Sequence, residues 1–287
     1  MPILYKTMFS ISLVLMAAAL VLFLVYGLNL GIDFTGGSLL EIRSETSEVK
    51  NIKESLEKAG IDNPAISQTG DGGFLIKMPE ISEEKHQEVL SELRNSGEIE
   101  EVRFDSIGST IGQELKRKSI IAIVIALVLI SLYLAVVFWR IGQTVNPFVL
   151  ALGAVVALIH DLLLPIGVFS WLGYFRGTSI DASLIAAALA ILGYSVNDTV
   201  VVYDRIRENI LKNPAGNFNE TVHKSVKQTL VRSINTTLTT LLAVIAIYVF
   251  GGETLKNFSL ALIIGIASGA YSSIFVASPI LMLFHRK

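Results

Sequence analysis

Apolar residues gather along the chain into runs of about 20 positions, the length a helix needs to cross the hydrocarbon core of a bilayer. These runs are Met8–Leu28, Ser119–Trp139, Phe148–Tyr174, Ile180–Tyr203, Leu230–Phe250 and Phe258–Phe284, and each predicts a membrane-spanning helix. The pattern changes between the first two. "GGSLLEIRS" predicts a strand, and "SEVKNIKESLEKAG" a helix opened by Ser47 and stopped by Gly60. "PAISQTG" and "GGFLIKMP" predict two short strands around a turn at Gly70–Gly73. "SEEKHQEVLSELRNSG" predicts a second helix from cap Ser82 to Gly97, and "EIEEVRFDSIG" a last strand. The order β-α-β-β-α-β is ferredoxin-like. The expected fold is therefore an α-helical membrane protein. It has a first helix over residues 1–30, one ferredoxin-like domain over 31–118, and a five-helix bundle over 119–287 with a connecting loop at 204–229.

The first run also carries small residues, Ala17–Ala19, as a secretory signal would. It is long for a signal and its alanines lie mid-run, so it reads as an uncleaved helix. Lys and Arg in the short connections set the orientation. Lys6, Arg140, Arg205, Arg207, Lys212, Lys224, Lys227, Arg286 and Lys287 fall on one side, against Arg176 and Lys256 in the short connections of the other. Both termini are expected in the cytoplasm and residues 31–118 outside it.

Composition narrows the chemistry. The chain is 52% hydrophobic and only 17% charged, where soluble domains carry about 25% charge. It holds no cysteine, which excludes disulfides and thiolate metal sites. Its four histidines match no metal-ligand spacing, and no cofactor motif is present. No Gly-rich phosphate loop exists, so an ATPase is excluded. "GYSVN" lacks the second glycine of a nucleophile elbow, and Asn219 lies on the cytoplasmic side, away from glycosylation. The outer domain is acidic, which argues against nucleic acid and anionic lipid and suits contact with protein.

What stands out is a carboxylate inside a greasy run. "GYSVNDTVVVYDRIREN" places Asp198 about 9 Å deeper than Asp204, at 1.5 Å per residue. A charge at a helix centre costs about 2.5–3.5 kcal/mol, so an intramembrane acid is either hydrogen-bonded helix glue or a proton carrier. Tyr194 and Ser195 lie on its side of the helix and are expected to bond it, while Ala182, Ala186 and Ala190 form a small-residue stripe for close packing. In the next helix Arg232, Thr236 and Thr239 share one face, which can hold water and pair with the acid, or simply snorkel and bond backbone. His160 and Asp161 are adjacent, so they are expected to point about 100° apart, with Pro165 freeing backbone nearby. "GIDFTGG" (Gly31, Asp33, Gly36, Gly37) allows tight turns and close backbone approach. Gly265, Gly269 and Ser273 form a packing face at four-residue spacing.

Together "GIDFTGG", "HD", "VNDTVVVYDRIREN", "RSINTTLTTLL" and "FGG" resemble the SecD/SecF family of protein-export membrane proteins, on its SecF side, over essentially the whole chain. That family belongs to the resistance-nodulation-division superfamily. The resemblance implies a prokaryotic cytoplasmic-membrane protein that works with SecD and the SecYEG channel on a translocating preprotein. It implies drive from the proton gradient, or sodium in some members. Asp198 would then carry the ion, Arg232 modulate its charge and Thr236 line a water path, with Asp161 and His160 as further ion-coupling candidates. Gly31, Asp33, Gly36, Gly37, Gly265 and Gly269 would form seams or hinges within or between the two halves. The chain has only one half of the fused form, so SecD is expected to complete the bundle. Two other readings are a passive scaffold and an exporter of small molecules or lipids, the latter normally needing two large outer domains. An intramembrane aspartyl protease would need paired acids that Asp161 and Asp198 do not supply.

The orientation is directly testable. In intact cells, Ser67→Cys should react with an impermeant thiol reagent and Asn217→Cys should not; outside labelling at position 217 would reverse the topology.

Overall fold

Strict alternation in "GSLLEIR" sends Leu40 and Ile42 to one face of a strand, where both are completely buried. In a computed structural model that describes residues 2–44, 48–68, 72–138 and 147–284, this strand is the centre of the smaller of two compact units, Asn29–Ile120 with Ser179–Ala182. The order there is α2 (Ile32–Thr35), β1 (Gly37–Arg43), α3 (Val49–Lys58), β2 (Ala65–Gln68), β3 (Gly73–Met78), α4 (Glu83–Ser96) and β4 (Glu100–Ile107). The four strands pair antiparallel in the order β2-β3-β1-β4, the ferredoxin-like arrangement that the sequence predicts. Register places Leu40 opposite Ile76 and Ile42 opposite Phe74, so one sheet face is continuous and apolar. Ile52 and Leu56 of α3 and Val89, Leu90 and Leu93 of α4 cover it. Burial of each such side chain contributes about 1.5–3 kcal/mol.

The helix stops work as read. Ser82 Oγ accepts the Lys85 N–H at 3.4 Å at the start of α4. Gly60, at φ +73°, lets the Ile61 N–H return to Leu56 O at 2.9 Å and close α3. Four expectations lie outside the described residues: the Ser47 cap, the turn at Gly70 and Asp71, the end of the second span at Trp139, and the cations Arg140, Arg286 and Lys287.

The larger unit comprises Met1–Leu28, Ile121–Thr178 and Ser183–Lys287. Six helical spans in it are long and apolar enough to cross a membrane. They are α1 (Ile3–Tyr26), α5 (Ser109–Val137), α6 (Pro147–Arg176), α7 (Ala182–Lys212), α8 (Phe218–Phe250) and a last span running from α9 (Glu253–Ser272) through a π-helix, Ser273–Ala277, to α10 (Ser278–Phe284). The first three turns of α5 and the first residue of α7, Ala182, belong to the smaller unit. α6 stays helical through Pro165.

Several helices outrun their apolar stretches, and this corrects the sequence reading. The predicted loop 204–229 is helical except for residues 213–217. The ion pairs Arg205–Glu208 and Lys212–Glu208, both 2.6 Å, and Asp204–Arg207, 3.6 Å, support α7 past its greasy part. Asn209 Nδ2 donates to Ser225 Oγ and Gln228 Oε1, each at 2.8 Å, joining the two extensions. Hydropathy alone ends a span where charge begins, whereas the helical period of Val202, Ile206 and Ile210 continues unbroken.

Burial is uneven among the spans. The most apolar stretch of Thr254–Phe284 is 61% buried and that of α5 only 6%. The faces of α1, α5 and α8 are thus clad by something other than this chain, lipid or a partner's helices.

Leu56→Ala should destabilise the smaller unit by about 2–5 kcal/mol, because it empties a packed site. Val49→Ala, at an exposed position of the same helix, should cost under about 0.5 kcal/mol. Hydrogen exchange at the β1 and β3 amides measures both, and equal protection in the two variants would contradict the assigned core.

Candidate functional site

The buried face of α7 runs through Ala187, Ile191, Ser195, Asp198 and Val202. It is therefore not the face of Ala182, Ala186 and Ala190. Ala186 and Ala190 are exposed, and the small residues that allow close approach come from α9 instead. A Cβ on Gly265 would overlap the Ile191 side chain, and one on Gly269 would sit 3.2 Å from Ser195 Cβ. Four residues beyond Gly269, Ser273 Oγ meets Thr199 Oγ1 at 3.0 Å. The predicted packing face of α9 is a seam within this chain, against α7.

Close packing there brings two buried carboxylates onto successive turns of polar contact. Asp161 of α6 is wholly buried. Its Oδ2 accepts Ser195 Oγ–H at 2.5 Å and Ser272 Oγ–H at 2.7 Å. Its Oδ1 lies 2.8 Å from His160 Nδ1. An ionised carboxylate only accepts, so Nδ1 carries the hydrogen in that state. This corrects two expectations. His160 and Asp161 do meet, because both rings of contact close inside one buried node. Ser195 serves Asp161, not Asp198. His160 stacks on Tyr271, whose hydroxyl donates to Met8 O at 2.7 Å and ties α1 to the node.

Asp198 has a different environment. It is 5% exposed, and Ser233 Oγ–H of α8 donates to its Oδ2. Among the described residues that is its one hydrogen bond. Arg232 is exposed to the outside of the chain but lies within electrostatic reach of the carboxylate. Thr236 and Thr239 are exposed and bond their own helix backbone, so the predicted Arg232–Thr236–Thr239 face is not the one packed on α7. The packed stripe is Thr229, Ser233 and Thr237, at four-residue spacing. Nor does the Tyr194 hydroxyl reach Asp198; it has no partner among the described residues. One turn nearer the chain's polar end, a cavity of about 240 Å³ opens between α7 and α8, lined among others by Val201, Asp204, Thr229 and Arg232.

Asp161 has three hydrogen-bond partners from three elements, whereas Asp198 has, among the described residues, a single hydrogen bond and a cation within electrostatic reach. Asp161 thus has most of its acceptor sites filled, while Asp198 has most of its own open among the described residues. Sequence reasoning missed Ser233, Ser272 and the π-helix. The signal for Ser272 was its place three residues after Gly269; that for Ser233 was its four-residue spacing with Thr229 and Thr237. The GIDFTGG residues lie in the other unit, at the root of its sheet. Gly36 and Gly37 have φ of +76° and +123°, and a Cβ on Gly36 would sit 2.5 Å from Ser109 Cα.

Fold and site define a multi-pass membrane protein with an α/β domain between its first two spans and two carboxylates buried in its bundle. The profile of the protein-export membrane protein SecD/SecF C-terminal family matches residues 87–287, and that of the SecD/SecF GG motif matches 21–48. The protein translocase subunit SecF of Thermobaculum terrenum is 38% identical, covering 97% of this chain and 92% of its own. The SecF subunit of Pseudomonas aeruginosa is 34% identical over 96% and 87%. The crystal structure of SecDF from Thermus thermophilus, a translocon-associated membrane protein, superposes with a TM-score of 0.87 at 34% identity. SecDF in its super-membrane-facing form gives 0.69 at 33%. Both cover 98% of this chain, which spans 38% of theirs. The chain belongs to the SecD/SecF family of protein-export membrane proteins, as a SecF-type member.

If the α7–α9 seam is internal, Gly269→Leu should lower the thermal stability of the chain in detergent by about 1–3 kcal/mol or more through overpacking, without SecD present. Gly193→Ala, with open space around it, should not. Equal melting of Gly269→Leu and the native chain would place the seam elsewhere.

Proposed function

We propose that this protein couples the proton motive force to late steps of protein export, with Asp198 as the residue that takes up and releases the proton. The observation that carries this reading is the contrast between the two buried acids. Asp161 is held by His160, Ser195 and Ser272, while Asp198 is held by Ser233 alone, with Arg232, which lines a cavity further along α7 and α8, in electrostatic reach. A carboxylate with unfilled acceptor capacity can bind a proton or a hydrated one without first breaking a network. On this reading the SecF-type chain pairs with SecD, whose helices clad its exposed faces, and the two act on preprotein leaving the SecYEG channel. Both termini lie in the cytoplasm and the ferredoxin-like domain on the far side of the membrane.

The energy scale bounds the stroke. One charge crossing 100 mV releases about 2.3 kcal/mol, and reversing a two-state population from 1:99 to 99:1 takes about 5.5 kcal/mol. A complete swing therefore requires more than one proton, or differential binding of the preprotein in addition.

Asp198→Asn keeps size and much of the hydrogen bonding while removing titration. It should abolish gradient-driven stimulation of export in vesicles containing SecD, at unchanged complex level. Asp198→Glu should keep part of it. A passive scaffold forecasts the opposite ranking, with Asn tolerated and the longer Glu harmful, and full stimulation by Asp198→Asn would end the proton-carrier reading.

A further inference from the structure

Asp33 is an acid whose partner lies 149 residues away. Its Oδ2 accepts the N–H of Ala182 at 2.7 Å. Ala182 is the first residue of α7, where helical N–H groups lack partners and negative charge is favoured. Asp181, just before it, is itself a capping residue type. Asp33 therefore adds a connection more than helix propensity.

Two further bonds run beside it. Gly31 N–H donates to Ile180 O at 2.7 Å, and Ile180 N–H donates to Asn29 O at 2.8 Å. They close a parallel bridge between Leu30 and Ile180. A Cβ on Gly31 would lie 2.9 Å from Ile180 O, so the approach needs glycine. The turn that carries Asp33 is itself rigid: Ile32 and Phe34 are buried, and the Gly36 N–H returns to Ile32 O at 2.8 Å. The next residue, Gly37, opens β1. GIDFTGG thus forms a clasp. Within one unit it ties the chain entering β1 to Ile180 and to Ala182, the first residue of the helix that carries Asp198 sixteen residues, or about 24 Å, further along.

We propose that Asp33 is a positioning residue for the coupling site: with the Leu30–Ile180 bridge it fixes the start of α7 to the root of the outer domain, so that a displacement of α7 is delivered to that domain undiminished. The proposal rests on the reading of Asp198 as the proton carrier. It assigns GIDFTGG the role of a rigid joint where its three glycines suggest a hinge.

The native chain is free of cysteine, so the pair Leu30→Cys and Ile180→Cys reports on the clasp by oxidative cross-linking in membranes containing SecD. The pair should cross-link to the same high yield with the gradient imposed or collapsed. Adding Asp33→Ala should lower that yield several-fold. It should also lower gradient-driven stimulation several-fold, measured against export with the gradient collapsed. Asp33→Asn, which keeps an acceptor oxygen, should retain most of both. Oxidising the pair in the Asp33→Ala chain should restore stimulation, a rescue that general destabilisation would not allow. Should Asp33→Ala fail to accumulate, the cross-linked native chain still decides: loss of stimulation on oxidation means that the bridge must open, and overturns the proposal. An unchanged cross-link yield in Asp33→Ala overturns it as well. Cross-link yield does not depend on which residue carries the proton, so a failure of the Asp198 reading registers separately, as stimulation surviving Asp198→Asn.

Discussion

A carboxylate inside a bilayer must be hydrogen-bonded, paired or neutral, because the hydrocarbon offers it nothing. The packing of α6, α7, α8 and α9 meets that requirement twice. For Asp161 the solution is three donors: His160 from its own helix, Ser195 from α7 and Ser272 from α9. Those donors reach it only because α9 offers Gly265 and Gly269 to α7, where any larger side chain would meet Ile191 or Ser195. The small residues are thus the geometric condition for the polar node. The π-helix Ser273–Ala277 follows directly, where the helix changes hydrogen-bond pattern after placing Ser272 and Ser273 on Asp161 and Thr199. π-segments of this kind recur at functional sites.

For Asp198 the solution is incomplete among the described residues, and the proposed proton uptake builds on that. Ser233 gives one hydrogen bond, and Arg232 gives charge from outside. Asp161 on α6 meets α7 through Ser195, three residues before Asp198, yet the two acids are bonded differently. One holds α6, α7 and α9 together; the other is left able to change its partner.

Much of this was legible in the residues. Six apolar runs match six spans among the described residues, and alternation, with Ser82 as a start and Gly60 and Gly97 as stops, matches the β-α-β-β-α-β order of the smaller unit. Asp198 announced itself as a charge in a greasy run. What escaped was everything set by which side of a helix meets a neighbour. Arg232, Thr236 and Thr239 make a convincing polar stripe on paper, but α8 turns Thr229, Ser233 and Thr237 inward, about 100° round from Arg232. His160 and Asp161 were expected to diverge by one helical step, and their side chains fold back to meet because both are enclosed. The loop predicted at 204–229 became helix because charged residues at i, i+3 and i+4 support a helix as well as apolar ones do. Asp33 was visible only as part of a glycine-rich exit; no local pattern points to a partner 149 residues away.

The central claim is that Asp198, and not Asp161, gains and loses a proton as the machine works. Infrared difference spectroscopy on the membrane-embedded complex with SecD, with aspartate carboxyls isotopically labelled, reads this directly. A protonated-carboxyl band should appear and vanish with pH, be absent in Asp198→Asn, and persist unchanged in Asp161→Asn at matched complex level. A titrating band that survives in Asp198→Asn and is lost in Asp161→Asn would contradict it.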